Sequence, residues 1–291
     1  MNLVGSVNLI EYCTKCHEEH DDYILCVLNK PGLCYECAIN QSNQSNHDLS
    51  STRDTNQSTN QPIDRHHILD KGYIDFMGQF GNELTIVNAA RVSFGNYSQE
   101  WTKKDRNLLK YLYKNKHMSP FRHVIVRMRI HAPEVVMRQL YKHVIGIEAT
   151  SGESSLKDHS WNEISGRYKE VQEYYYPDIF RAQSSDNKQA SDGIVANQKL
   201  ADTIYKELHK TSEEAYQKLL DLGVAREQAR LILPLSQYTT VIWTCSLQAI
   251  LNFISLRDHN HAQYEIREYA KVMRTYINQK FPTLAEIWED M

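Results

Sequence analysis

The chain has 291 residues, 41% of them hydrophobic, which is enough for one large domain or two smaller ones. Its 33 basic and 36 acidic residues are spread along the sequence and leave a formal charge of −3, so no overall field draws it to nucleic acid or to an anionic membrane. No apolar run approaches the roughly 20 residues that span a bilayer, and the first residues lack the basic start and apolar stretch of a signal peptide, so a cytoplasmic location is expected.

Three regions follow one another: residues 1–40, 41–63 and 64–291. In the first, Cys13-x-x-Cys16 and Cys34-x-x-Cys37 stand 17 residues apart, a spacing that suits a zinc ribbon or knuckle. Four thiolates satisfy tetrahedral zinc, and a segment of this size is otherwise too small to fold securely by core burial. The alternative is a set of unrelated reduced thiols, and His17, His20 and Cys26 are near enough to substitute for a ligand. Two lysines, no arginine and six acidic side chains make this head repel phosphate, so a structural or protein-docking role is expected of it rather than nucleic-acid binding. The second region is polar: 16 of residues 41–62 are Ser, Thr, Asn or Gln, which reads as a disordered linker.

The third region mixes both hydrophobic periods. Phe121 to His131 places Val124, Val126, Met128 and Ile130 on one face and Arg127 and Arg129 on the other, which predicts a strand. Pro133 then suits a first helical turn, and the pattern after it predicts a helix with Gln139, Lys142 and His143 on one face. Further helices are expected over 198–222, 225–233, 246–256 and 261–280, with Arg257 and His261 one turn apart. The fold class is therefore α+β. Cys245, in the apolar run VIWTCSLQAIL, reads as core.

Neither a GxxxxGK[ST] loop nor a GxGxxG turn occurs, so a phosphate or flavin must be held by side chains and helix ends. Ser165-Gly166-Arg167 offers a hydroxyl, a permissive backbone and a guanidinium fork, suited to a phosphomonoester.

Six blocks occur in a telling order: NAARVSF (88–94), KHMSPFRH (116–123), RQLYKH (138–143), WNEISGRY (161–168), AREQARLILPL (225–235) and SLRDHNHAQYEIREYA (255–270). In this they resemble the flavin-dependent thymidylate synthases, over about residues 68–281. The resemblance implies a homotetramer of mixed helix and sheet, with active sites shared among subunits. It would use FAD, NADPH and methylenetetrahydrofolate to methylate dUMP. It further implies that Gln139, Lys142, Glu163, Ser165, Arg167 and Arg230 hold dUMP, and that Arg257 contacts and polarises the uracil. His117, Ser119, Lys142, His143, Glu163, Asn252 and His261 would lie toward FAD. Other readings are a dUMP hydroxymethylase on the same scaffold, or a degenerate scaffold whose zinc head recruits a partner.

The sequence also departs from the family pattern. Lys142-His143-Val144 stands where the family has Arg-His-Arg, and Ser246 and Gln248 stand where it tends to have Asn and Arg. Fewer directed donors predict weaker flavin retention. The inserted stretch at 148–160 is polar and is expected to be a surface loop, the alternative being a segment that reshapes the folate entrance.

Overall fold

A computed structural model describes residues 10–12, 19–21, 64–143, 146–148, 155–157, 159–170, 173–187 and 190–289. The chain divides into two units, Met1–Gln61 and Pro62–Met291. In the first, β1 (Ile10–Tyr12) pairs antiparallel with β2 (Glu19–Asp21). Cys13, Cys16, Cys34 and Cys37 lie outside the described residues, as does Val144.

The second unit is built on a five-stranded antiparallel sheet. Its strands are β3 (Asp64–Ile68), β4 (Gly72–Phe80), β5 (Ile125–Pro133), β8 (His159–Glu163) and β11 (Tyr238–Ser246), in the spatial order β3-β4-β5-β11-β8. β6 (Gly146–Glu148) and β7 (Ser155–Lys157) form a separate pair, and β9 (Arg181–Gln183) pairs with β10 (Ser191–Ile194). The described residues of the stretch 148–160, namely 148, 155–157 and 159–160, are strand, where a surface loop was expected.

The period of two expected around residue 126 is present. Val126, Met128 and Ile130 are fully buried, and opposite them on β11 stand Cys245, Trp243 and Val241, all on the same face. The strand begins later than expected, at Ile125, because Ser119–His123 forms a 3-10 turn opened by Pro120. The other face carries a charged ladder. Asp75 of β4 accepts from Arg65 on β3 at 2.8 Å and from Arg129 on β5 at 2.7 Å. Burial alone would raise the Asp75 carboxyl, but the two guanidiniums hold it below the usual carboxylate range.

The helices are α1 (Glu83–Arg91), α2 (Lys103–Lys114), α3 (Glu134–Leu140), α4 (Gln198–Asp221), α5 (Arg226–Ala229), α6 (Leu247–Arg257), α7 (Tyr264–Lys280) and α8 (Pro282–Glu289). Asn82 and Thr85 cap α1 reciprocally, and Ser246 both ends β11 and caps α6 by accepting from the Ala249 amide at 3.2 Å. Leu109, Ile254, Ile266, Met273 and Ile277 join the sheet residues in one core. Glu83 reaches across from α1 to the first turn of α8, accepting from the Thr283 amide at 2.8 Å and the Leu284 amide at 3.1 Å. No helix among the described residues is long and apolar enough to cross a membrane.

Three expected helices are shorter than their patterns. α3 ends at Leu140, so Lys142 and His143 sit in the turn that follows and do not continue a helical face with Gln139. α5 stops at Ala229 and passes into a 3-10 turn, Arg230–Ile232, because Pro234 forces Leu233 into extended backbone (φ −74°, ψ 141°). α6 ends at Arg257 and α7 begins at Tyr264, which leaves His261 in the connection rather than one helical turn after Arg257.

Candidate active site

The edge strand β8 runs out where α3 and the start of β11 converge, and a cavity of about 910 Å³ opens there. Its walls are tied together by main chain. The first amides of α3, Glu134 and Val135, donate to Gln237 at 2.8 Å and Leu235 at 2.9 Å. Beyond β8 the backbone turns sharply: the amides of Tyr168 and Lys169 both donate to the Ser165 carbonyl, at 3.0 and 3.1 Å. This turn carries Ser165, Gly166 and Arg167 into the cavity, and the 3-10 turn after α5 brings Arg230. Arg230 lies against Gly166, where a Cβ would stand 3.4 Å from its Cδ and Nη1.

Arg138, Arg167, Lys169 and Arg230 supply four cations, and Glu134, Glu163 and Glu227 three carboxylates. Glu163 is fixed by donors on two strands, Thr239 Oγ1 at 2.8 Å and Trp161 Nε1 at 3.2 Å. Burial, and after it the charge of Glu163, push the Glu134 carboxyl above the usual glutamate range. A second cavity, about 380 Å³, adjoins the first across Glu134, Arg138 and Glu163 and is floored by Met137, Tyr141 and Trp161. A mononucleotide fits these dimensions, with the cations of the larger cavity available to its phosphate.

A second cluster joins α3 to α6. Arg257 donates through Nε to His143 Nε2 at 2.7 Å, and His143 Nδ1 donates to the Gln139 carbonyl at 2.6 Å. The Gln139 side chain donates to Gln263 Oε1 at 2.6 Å. Burial chiefly, with the Arg257 charge, holds His143 below the ordinary imidazole value, and the ring meets Phe253 edge-on at 5.6 Å. Lys142 is exposed in the turn beside it. His261 is exposed and bonds Asn187 at 2.9 Å.

A third place is a cavity of about 210 Å³ between Lys116 and Met118 on one side and Gln248, Asn252 and Ser255 of α6 on the other. Gln248 Oε1 is buried there with no hydrogen-bond partner among the described residues. His117 and Ser119 are exposed on the adjoining loop, His117 stacking on Tyr111 at 5.8 Å.

The sequence-derived set is thus divided. Glu163, Ser165, Arg167 and Arg230 meet in the large cavity, Gln139, His143 and Arg257 form the second cluster, and Asn252 lines the third place. Sequence reasoning missed Glu134, Arg138, Lys169 and Gln237. Arg138 adjoins Gln139 in the block RQLYKH, but the helical face drawn through Gln139, Lys142 and His143 excluded it.

Fold and cavity define a mixed helix-and-sheet protein with a cationic pocket sized for a nucleotide. A family model described as thymidylate synthase complementing protein matches residues 75–283. The chain belongs to this family. Among similar proteins is a flavin-dependent thymidylate synthase of Thermus thermophilus, 36% identical over 224 residues, which are 77% of this chain and 77% of the relative. One from Thermosipho africanus is 37% identical over 219 residues, 74% of this chain and 90% of the relative. Among solved structures, a UMP/dUMP methylase, PolB from Streptomyces cacaoi, bound with 5-Br dUMP, superposes with a TM-score of 0.66 at 28% identity. The match covers 78% of this chain and 98% of that one.

Proposed function

We propose that this chain converts dUMP to dTMP by reductive methylation, with methylenetetrahydrofolate as carbon donor, FAD as redox group and NADPH as reductant. The observation that carries this is the convergence of Glu163, Ser165, Arg167 and Arg230, from two separate sequence blocks, on one cavity. Ser165, Arg167 and Arg230 take the phosphate, for which guanidinium forks and a hydroxyl are matched donors. Glu163, held by Thr239 and Trp161, accepts from a sugar hydroxyl or cofactor. Arg257 stands at the uracil, where a fixed cation opposes the charge that builds on a carbonyl oxygen as carbon 5 becomes nucleophilic.

The orphaned Gln248 oxygen, with Asn252, Ser255 and Lys116, fits a polar heteroaromatic group carrying an N–H, as a flavin does. His117, Ser119, Lys142, His143 and His261 complete that side. FAD, when bound, supplies the hydride chemistry. The dispersal of the three places within one protomer, and the exposed apolar stripe Leu200, Ile204 and Leu208 on α4, support a homotetramer with shared sites.

In the same reading, residues 1–40 form a module that binds zinc through Cys13, Cys16, Cys34 and Cys37, residues 41–63 a linker, and residues 64–291 a cytoplasmic enzyme. The test is the visible spectrum of the purified protein, followed by dUMP-dependent NADPH oxidation and the mass of the product. A flavin band and a methylated product are expected. A colourless protein without dUMP-dependent oxidation would overturn the proposal, and a product carrying a hydroxymethyl group would change its final step.

A further inference from the structure

We propose that His143 is a positioning residue for Arg257: its uncharged ring, protonated on Nδ1, orients the guanidinium by accepting from Nε. The inference rests on the reading of Arg257 above. Both ring nitrogens are engaged within the protein. Nδ1 lies 2.6 Å from the Gln139 carbonyl, which only accepts, so the proton sits on Nδ1. Nε2 is then a lone pair, and it faces Arg257 Nε, which only donates, at 2.7 Å. The two contacts select one tautomer of one protonation state.

The hydrogen bond to His143 uses only Nε of Arg257 and leaves its two terminal amino groups for another acceptor. Asp258, the neighbouring carboxylate in sequence, does not compete for them through its salt bridge, because it pairs with Arg274 at 3.0 Å. His143 accordingly has no in-plane nitrogen to offer a cofactor and meets one only through its face.

A second proton on His143 would set an N–H against the Arg257 N–H and put two cations side by side. The surroundings oppose that proton. The ring is half-buried, Phe253 packs on it from α6, and the charge it feels across the contact is Arg257; Lys142 is the charged neighbour on its own segment. The depressed value fixes the direction: the contact is intact above the ordinary imidazole range and is lost as pH falls through the depressed one.

Asparagine and glutamine separate the two contacts, since the asparagine amide reaches about as far as Nδ1 and the glutamine amide about as far as Nε2. Full-length His143→Asn, His143→Gln and Arg257→Ala are compared with wild type by flavin content, by dUMP affinity in calorimetry, and by single-turnover oxidation of reduced enzyme with dUMP and methylenetetrahydrofolate across pH. His143→Asn should lose about 100-fold in single-turnover rate, the order expected when a reacting group is misplaced by about 1 Å. His143→Gln should recover at least about 10-fold of that loss and should lack the acid limb of the wild-type profile. A persisting acid limb in His143→Gln overturns the proposal, as does wild-type speed in His143→Asn. Flavin loss in His143→Asn but not in Arg257→Ala would assign the imidazole to the cofactor instead. If Arg257→Ala itself turns over normally, it is the reading of Arg257 that falls, a result distinct from a slow Arg257→Ala beside a fast His143→Asn.

Discussion

Glu134 and Glu163 line the wall common to two adjoining cavities, and the charge on Glu163 helps to keep the Glu134 carboxyl above the usual glutamate range. Among the described residues no side chain hydrogen-bonds the Glu134 carboxylate. A carboxyl raised in the folded state contributes stability that is complete below its unfolded value and is lost as pH rises through the folded one. Glu134→Gln should therefore raise Tm at about pH 7, and the gain should vanish near pH 4, where glutamate in the unfolded chain is also largely protonated. Thermal unfolding at the two pH values decides it, and an equal gain at both would refute the charge argument.

Arg230 and Arg167 approach one cavity from different segments, so each should contribute to nucleotide affinity on its own. Charge-assisted hydrogen bonds are worth about 1.5–3 kcal/mol, so either alanine variant should weaken dUMP binding about 10- to 100-fold. Calorimetry with dUMP and with deoxyuridine measures this. Deoxyuridine, lacking the phosphate, should bind wild type and variants alike.

Arg257 should matter more to turnover than to folding. Arg257→Ala should keep its flavin and its assembly state while losing about 100- to 1,000-fold in methyl transfer, the cost of removing a donor aimed at developing charge. Arg257→Lys should recover little, because an ammonium cannot donate to His143 and present a planar edge at once. Wild-type rates in the alanine variant would remove Arg257 from the reaction.

Metal analysis should give one zinc per full-length chain, and none in a variant that begins at Asp64. If residues 1–40 and 64–291 are mechanically separate, the shortened chain should retain its flavin and its turnover. A zinc-loaded truncation, or a folded truncation without activity, would contradict this.

Much of the core is legible in the sequence. The period of two around Met128 marked a strand, and the apolar run about Cys245 marked the interior, because each buries a regular stripe. β11 was harder to see. Its residues pass into α6 with no glycine or proline between them, and the junction is made by one serine that caps the helix. In the site, Ser165 and Arg167 were visible because a hydroxyl and a guanidinium stand two residues apart in one polar block, a donor pair suited to a phosphomonoester. Glu134 was not, since an acidic residue just after a proline at a helix start is what the helix dipole alone would favour. Arg257 and His143 were each singled out, yet their contact depends on where two helices stop, and a periodic pattern sets helix ends poorly.

The reach of Glu83 to the first turn of α8 bears on how the chain is made. Its acceptor bonds to the Thr283 and Leu284 amides span 200 and 201 residues, so during synthesis α1 emerges long before its partner exists. Until then the carboxylate stays solvated, because burying it without those donors carries a desolvation cost. Ile86 and Val87 of α1, fully buried in the finished core, cannot be sealed while that end of the helix is held toward water. Closure of this core is thus deferred until α8 is released from the ribosome, and a nascent chain stalled before Pro282 should be a substrate for chaperones and proteases.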